Sequence, residues 1–428
     1  MRKTKIFTGC LAFVLCMGMW SCGGDDPLPT NPGDPGDPEV PETPDTTGVA
    51  TMTPQEAKIK LESVATAFLG KIKASDQEKV IKLLSYFVDN YGVMEDDEPM
   101  EPSPEYPNYS KSILRNTVSA ITDGVKGDAV SALSLSKAVR TKDEFKIEDS
   151  FGVFEYVDQE WTKVADSNGI IFRFKDAQGK TCTMELTPTG NTRLETEDEI
   201  INIPTKMTAV LTQGNDQLLS AQVTNKIVLG SEIKADVQLT MGGYSLSVVS
   251  NVSPDVAALE ANVVVNNENL IKVNVALKGN NLTGQNMPIL NENIFEGIKA
   301  GEGSMIVNVM NNAFVLRTRI SDCEKFFAEA DDVDFDKQTD AVAKAKILND
   351  LLSRADFTLS KQNAGSIVWK EHKYEYTPTY SAWDVQPVLK FGDNTMYEFD
   401  QYFDEASFSS VTSLAKALEN DIKALWGN

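Results

Sequence analysis

Two hydrophobic periods divide the chain. Between residues 53 and 90 apolar side chains recur every three or four positions. Leu61, Val64, Ala65, Phe68 and Ile72 form one helical stripe, and Val80, Ile81, Leu84, Phe87 and Val88 form a second. Thr53-Pro54-Gln55-Glu56 reads as a capping box with proline in the first turn, and Ser75-Asp76-Gln77-Glu78 repeats the start signal. Residues 109–139 read as further helix, after an exposed acidic and proline-rich loop at 95–107. From about Phe151 the period falls to two. Ile233, Ala235, Val237 and Leu239 alternate with Lys234, Asp236, Gln238 and Thr240. Tyr244, Leu246 and Val248 repeat the pattern, as do Ile271, Val273, Val275 and Leu277. Turn signals fall at Gly214-Asn215, Gly230, Gly242-Gly243, Ser253-Pro254, Asn266-Asn267 and Gly279-Asn280. Such spacing predicts consecutive long hairpins, an antiparallel meander with one apolar and one wet face.

The hairpin Met305 to Ile320, turning at Asn311-Asn312, extends the meander, and a helical pair follows from Ser321-Asp322-Cys323-Glu324 through Ile347, Leu348, Leu351 and Leu352. Strands return at Ile367 to Tyr376, Val385 to Phe391 and Thr395 to Phe399. The chain closes on a helix carrying Val411, Leu414, Ala415, Leu418, Ile422 and Leu425. A sheet apolar on one side must be covered, and the amphipathic helices are the available cover. The expected fold class is therefore α+β, a large curved antiparallel meander covered on one face by helices. The expected segments are a helical one at 51–144, the sheet at 145–320, and helices with returning strands at 321–428, all in one compact unit. Over residues 151–428 this element pattern resembles the open half-barrel of LolA-like lipoprotein carriers and related lipid-binding envelope proteins. The resemblance implies an apolar ligand held between sheet and helices.

The first residues change the picture of where such a body works. Arg2, Lys3 and Lys5 precede an apolar run from Ile6 to Trp20, about the length of a signal-peptide core and short for a membrane span. Met19-Trp20-Ser21-Cys22 resembles a lipobox, with Trp20 departing from the usual small residue, so residues 1–21 read as a signal peptide and Cys22 as the acylated cysteine. Residues 22–50 are dense in Pro, Asp, Glu, Thr and Gly and predict a disordered tether. Gly23-Gly24-Asp25-Asp26 after the cysteine resembles Bacteroidetes-type envelope lipoproteins, which implies an outer-membrane anchor and display on the cell surface in preference to the periplasmic face. Asp45-Thr46-Thr47 resembles the O-glycosylation acceptor of that group. No later segment is apolar enough for a span.

Charge and chemistry mostly exclude. The chain has 40 basic and 63 acidic residues, a net charge of −23, and loss of the signal peptide removes basic residues only. That argues against nucleic acid and against adhesion to anionic headgroups. Cys182 and Cys323 are the cysteines left beside Cys22 once Cys10 and Cys16 depart, too few for a disulfide framework; whether they pair is left open. A single histidine, His372, rules out two-histidine zinc sites, and no Gly-x-Ser-x-Gly elbow presents a serine to it. Its strand-like surroundings predict a solvent-facing or cross-strand residue. Gly179-Lys180-Thr181 ends like a phosphate loop but lacks the earlier glycine, and Asp176-Ala177-Gln178-Gly179 reads as a hairpin turn. Gly301-Glu302-Gly303 lacks the third glycine of a dinucleotide site. Asp332, Asp334 and Asp336 imitate half a calcium loop, but Lys337 and Ala343 stand where its glycine and glutamate are needed. No catalytic residue, metal site or cofactor is predicted. The expectation is a non-enzymatic binding or carrier protein, lipid-anchored in the envelope, with an apolar ligand. Two alternatives stay open: a surface glycan- or protein-binding module using C-terminal aromatics, with Trp369, Tyr376 and Trp383 as candidates, and a hydrolase with a carboxylate pair.

Overall fold

The structure is a computed structural model and describes residues 50–91, 148, 151–158, 160–195, 200–228, 230–283, 299–330, 335–377, 380–403 and 408–425. The expected signal peptide, Cys22 and nearly all of the tether lie outside the described residues, as do the loop at 95–107 and the helix expected over 109–139.

The helical stripes form where expected. Helix α1 runs Pro54–Lys71, a 3₁₀ turn spans Ala74–Gln77, and α2 runs Glu78–Asn90. The capping box closes reciprocally: Glu56 N–H donates to Thr53 Oγ1 at 3.4 Å, and Thr53 N–H donates to Glu56 Oε2 at 2.8 Å. At Ser75 the repeated start signal produces the 3₁₀ turn instead, and α2 begins without a side-chain cap.

The strands are β1 (Gly152–Val157), β2 (Glu160–Ala165), β3 (Ile170–Lys175), β4 (Thr181–Thr189), β5 (Thr192–Glu195) and β6 (Ile200–Ile203). The long hairpins follow as β7 (Lys206–Gln213), β8 (Asp216–Val228), β9 (Glu232–Met241), β10 (Tyr244–Val252), β11 (Val256–Val265), β12 (Glu268–Asn280), β13 (Lys299–Val309) and β14 (Phe314–Ile320). Helices α3 (Cys323–Ala330) and α4 (Gln338–Leu351) interrupt. Then come β15 (Arg354–Leu359), β16 (Gln362–Thr377), β17 (Tyr380–Phe391), β18 (Met396–Glu398), the short α5 (Phe399–Tyr402) and α6 (Ser409–Leu425). Strands β5 and β6 pair with each other, and the rest join one 16-stranded sheet in the order β18 to β7 without interruption, then β4, β3, β1 and β2. The returning strands thus continue the meander's own sheet.

Two expectations need correction. The sheet is mixed and mostly antiparallel, because β1 pairs parallel to β3 while β2 folds back on the outer edge. Gly279-Asn280 is the end of β12 and no turn. The register slips between Leu277 and Gly279, and a Cβ on Gly279 would lie 2.3 Å from Lys299 O, so the glycine makes room for a bulge.

Register turns the alternation into rows that cross the sheet. Ile170, Leu186, Ala209, Ala221, Leu239, Leu246, Val263, Ile271, Val309, Phe314 and Leu359 stand opposite one another strand by strand from β3 to β15. A parallel row runs Met207, Val223, Val237, Val248, Ala261, Val273, Val307, Leu316 and Phe357. Side chains two apart share a face, so along these rows one side of the sheet is apolar from β3 to β15.

Three clusters of side chains tie helices to this apolar side. Val80, Leu83, Leu84 and Phe87 of α2 pack with Phe154, Phe172, Phe174, Met184, Leu211 and Leu219. Ala57 and Leu61 of α1, with Phe408 and Val411 at α6, pack with Val273, Val307, Leu316, Phe357, Leu389 and Phe391. Phe326 of α3 and Ala341, Ala345 and Leu348 of α4 pack with Val385 and, at the margin, Trp369 and Trp383.

The N-terminal helical segment meets successive strands near one set of turns. Lys60 Nζ donates to Gln362 Oε1 at 2.6 Å at the start of β16, and Lys71 pairs with Glu268 at 2.6 Å at the start of β12. Lys73 N–H donates to Tyr244 Oη at 2.8 Å at the start of β10. Lys79 pairs with Asp216 at 3.5 Å at the start of β8, and Tyr91 Oη donates to Lys175 O at 2.6 Å at the end of β3. Residues 60 to 91 therefore traverse the sheet from β16 back to β3. Gly242 lets the crossing come close: its φ is +57°, and a Cβ there would sit 2.4 Å from Asp76 O.

Candidate binding face

Between the clusters the apolar rows continue without belonging to either. Val237, Leu246, Val248, Leu259 and Val263, on β9, β10 and β11, are half-buried and join none of the three cores. Leu239 lies at the margin of the α2 cluster, and Ala261 and Val275 at the margin of the α1 cluster. Toward β12 and β13 one of these rows becomes fully packed, with Val307 0% exposed, whereas toward β7 and β8 its members Met207 and Val223 stay half-buried and the packed side chain is Leu211, 1% exposed, in a neighbouring row. The patch holds branched aliphatic residues with no charge among them. Its strands pair from β8 through β10 to β11 with no register shift, so it is a regular surface. Half-exposed aliphatic side chains on a regular sheet supply a dry, non-directional surface, worth about 25 cal/mol per Å² to whatever apolar area meets it.

Ionisable groups near the apolar side are engaged in structure. Asp176 is buried in the β3–β4 turn, where Gln178 and Lys180 N–H donate to its Oδ1 at 2.9 and 2.8 Å and Gln213 Nε2 donates to Oδ2 at 2.6 Å. Burial raises its pKa, but these donors outweigh burial and hold the carboxyl below its ordinary value. Cys182 is a free, buried thiol pushed up to about 11 by burial, with the Asp176 charge adding to the shift, so it stays protonated and is no nucleophile at neutral pH. Cys323 is likewise free, so the two cysteines do not bridge.

The other sequence candidates are placed as follows. Cys22 lies outside the described residues. Trp369 and Trp383 are half-buried beside α3 and α4. Trp369 meets the Phe326 ring edge-on at 6.0 Å, and Trp383 exchanges two backbone hydrogen bonds with Phe335. They do not form a bare aromatic row. Tyr376 belongs to β16, and its side chain lies outside the described residues. His372 is half-buried and cross-strand: its Nδ1 is 2.9 Å from Gln386 Nε2 and 3.2 Å from Glu398 Oε1. Asp176 to Gly179 makes the expected turn, with Gly179 at φ +79°. Gly301 and Gly303 lie inside β13, where a Cβ on Gly303 would meet Cys323 Sγ at 2.5 Å, so that glycine makes room for α3. Most of the aspartate run, residues 331–334, lies outside the described residues, and no group of metal-binding side chains forms among the described ones.

No protein family, curated protein or solved structure matches this chain.

The patch thus rests on its own geometry. Sequence reading marked Val237, Leu239, Leu246 and Val275 as apolar-face residues but did not separate the packed ones from the half-exposed ones. That difference depends on where α1 and α2 cross the strands, and the crossing is set by contacts between residues more than a hundred positions apart, such as Lys73 with Tyr244.

Proposed function

We propose that this chain is a lipid-anchored envelope protein that holds an apolar ligand on its sheet, as a binding or carrier protein without catalytic chemistry. In this reading the helices roof the apolar face of a curved sheet in the manner of a LolA-like half-barrel, and Val237, Leu246, Val248, Leu259 and Val263 are the part left for a ligand. One observation carries it: an aliphatic stretch in mid-sheet that is neither packed into a core nor broken by charge. The anchor rests on Cys22 after its positive and apolar leader.

Native mass spectrometry of the full chain, extracted in detergent from its host's membranes, tests both halves. We expect an acyl mass on the peptide beginning at Cys22 and a non-covalent apolar adduct that leaves on denaturation. An unmodified Cys22 peptide would sink the anchor, and a bare protein mass under native conditions would sink the carrier reading.

A further inference from the structure

Strand β16 outruns its neighbour. β15 pairs with it only from Gln362 to Ser366, while its other side stays paired to β17 as far as Thr377. Past Ser366 a side chain stands where a strand would. Trp369 N–H donates to Asn349 Oδ1, and Asn349 Nδ2 donates to Trp369 O, both at 2.8 Å. Pairing to β17 keeps its register from Gly365 to Glu375, so every second residue turns its N–H and C=O the same way. Glu371, Lys373 and Glu375 therefore aim theirs, like Trp369, at the side away from β17. Among the described residues no strand meets them there. Their side chains share one face and alternate in sign. Lys373 and Glu375 are exposed, whereas Glu371 is half-buried and accepts from Gln338 Nε2 at 3.5 Å.

We propose that this edge pairs antiparallel with the same edge of a second copy, joining the two sheets about a two-fold axis at Tyr374. In that register Lys373 of each copy faces Glu375 of the other. Both residues turn their N–H and C=O outward, so each such pair exchanges two backbone hydrogen bonds beneath opposite charges. The two Tyr374 side chains meet between these pairs, on the other face. A lysine on a strand edge ordinarily deters a neighbour. Here the acid two residues on supplies its partner as soon as a second copy is turned around. Centring the axis on Lys373 would set like charges opposite one another. Centring it on His372 would oppose Glu375 to Trp369, whose N–H and C=O Asn349 already holds. With the axis at Tyr374, Trp369 and the Asn349 end of α4 lie past Glu375 of the other copy, clear of the paired stretch. The chain's net charge of −23 opposes association at long range. Physiological salt screens exposed charges more than about 8 Å apart, whereas opposed side chains on paired strands lie about 5 Å apart.

Sedimentation velocity of the full chain in a density-matched detergent tests this, at up to about 100 µM protein and about 0.15 M salt. We expect a concentration-dependent dimer. Association should weaken at least tenfold in Lys373→Glu and in Glu375→Lys, because each change sets like charges opposite one another. The double variant Lys373→Glu/Glu375→Lys should return to within threefold of the parent. An equimolar mixture of the two single variants should do the same, since their edges complement each other and not themselves. Thermal midpoints within a few degrees of the parent's show that each variant folds. A parent that stays monomeric would leave the edge to a foreign strand and overturn the proposal. So would single variants that associate as the parent does, or weakened single variants that recover neither on mixing nor in the double variant.

Discussion

Lys344 is the residue whose environment its neighbours in sequence disclose least. It sits in Ala341-Val342-Ala343-Lys344-Ala345, and its partner Asp384 lies forty positions away on β17. Nζ stands 3.0 Å from Asp384 Oδ1 with both side chains less than a tenth exposed, and the Phe335 ring lies 5.6 Å away. Removing one partner strands the other charge, so Lys344→Ala or Asp384→Ala should cost about 3–5 kcal/mol, whereas Lys344→Met with Asp384→Leu should restore most of it. Urea unfolding of the four proteins measures this, and additive single losses in the double variant would contradict the pairing. Asp176 shows the reverse case, a turn residue evident from its spacing to Gly179. Its folded pKa lies below the ordinary 3.8, so its carboxylate stabilises the fold fully above that value and loses the effect as pH falls through the folded one. Asp176→Asn sets two donors face to face at Gln213 and should cost about 1–3 kcal/mol at neutral pH. The gap to the parent should stay level from pH 8 to 5 and close below it. A gap that widened in acid would reverse the sign we assign.

At the scale of elements, periodicity was a dependable guide because it reports burial, and burial is what the helices and strands share. The stripe Val80, Leu84 and Phe87 and the alternation Ile233 to Leu239 both appear as read. The parallel pairing of β1 with β3 was hidden, since alternation says which face a residue takes and nothing about its neighbour strand. The link between α1 and α2 was hidden too. Tyr244 Oη accepts from Lys73 N–H at 2.8 Å and lies 3.3 Å from Lys73 O, pinning the connection over β10. Tyr244→Phe leaves that N–H without its acceptor and should cost about 1–2 kcal/mol. Hydrogen exchange should quicken in residues 72–77 while β16 keeps its protection, and equal acceleration in both would mean that Tyr244 acts on the whole fold.

For the molecule as a whole, the meander and its single apolar side were legible from Ile233 to Leu277, and the helical additions from the stripes at Leu61 to Val88, Ile347 to Leu352 and Val411 to Leu425. The candidate face was legible only as a list of apolar-side residues, because its boundaries are drawn by α1 and α2 crossing the turns at Glu268, Tyr244 and Asp216. The central claim is that mid-sheet aliphatic residues form a surface for apolar ligands, confined to the apolar side of the sheet. Leu246 and Ser245 test it as neighbours in β10 that point to opposite faces. Titrating the full chain with the fluorescent apolar probe 1-N-phenylnaphthylamine should give saturable enhancement that weakens at least tenfold in Leu246→Arg and stays within twofold of the parent in Ser245→Arg. No saturable binding, or equal affinity in both variants, would contradict the account.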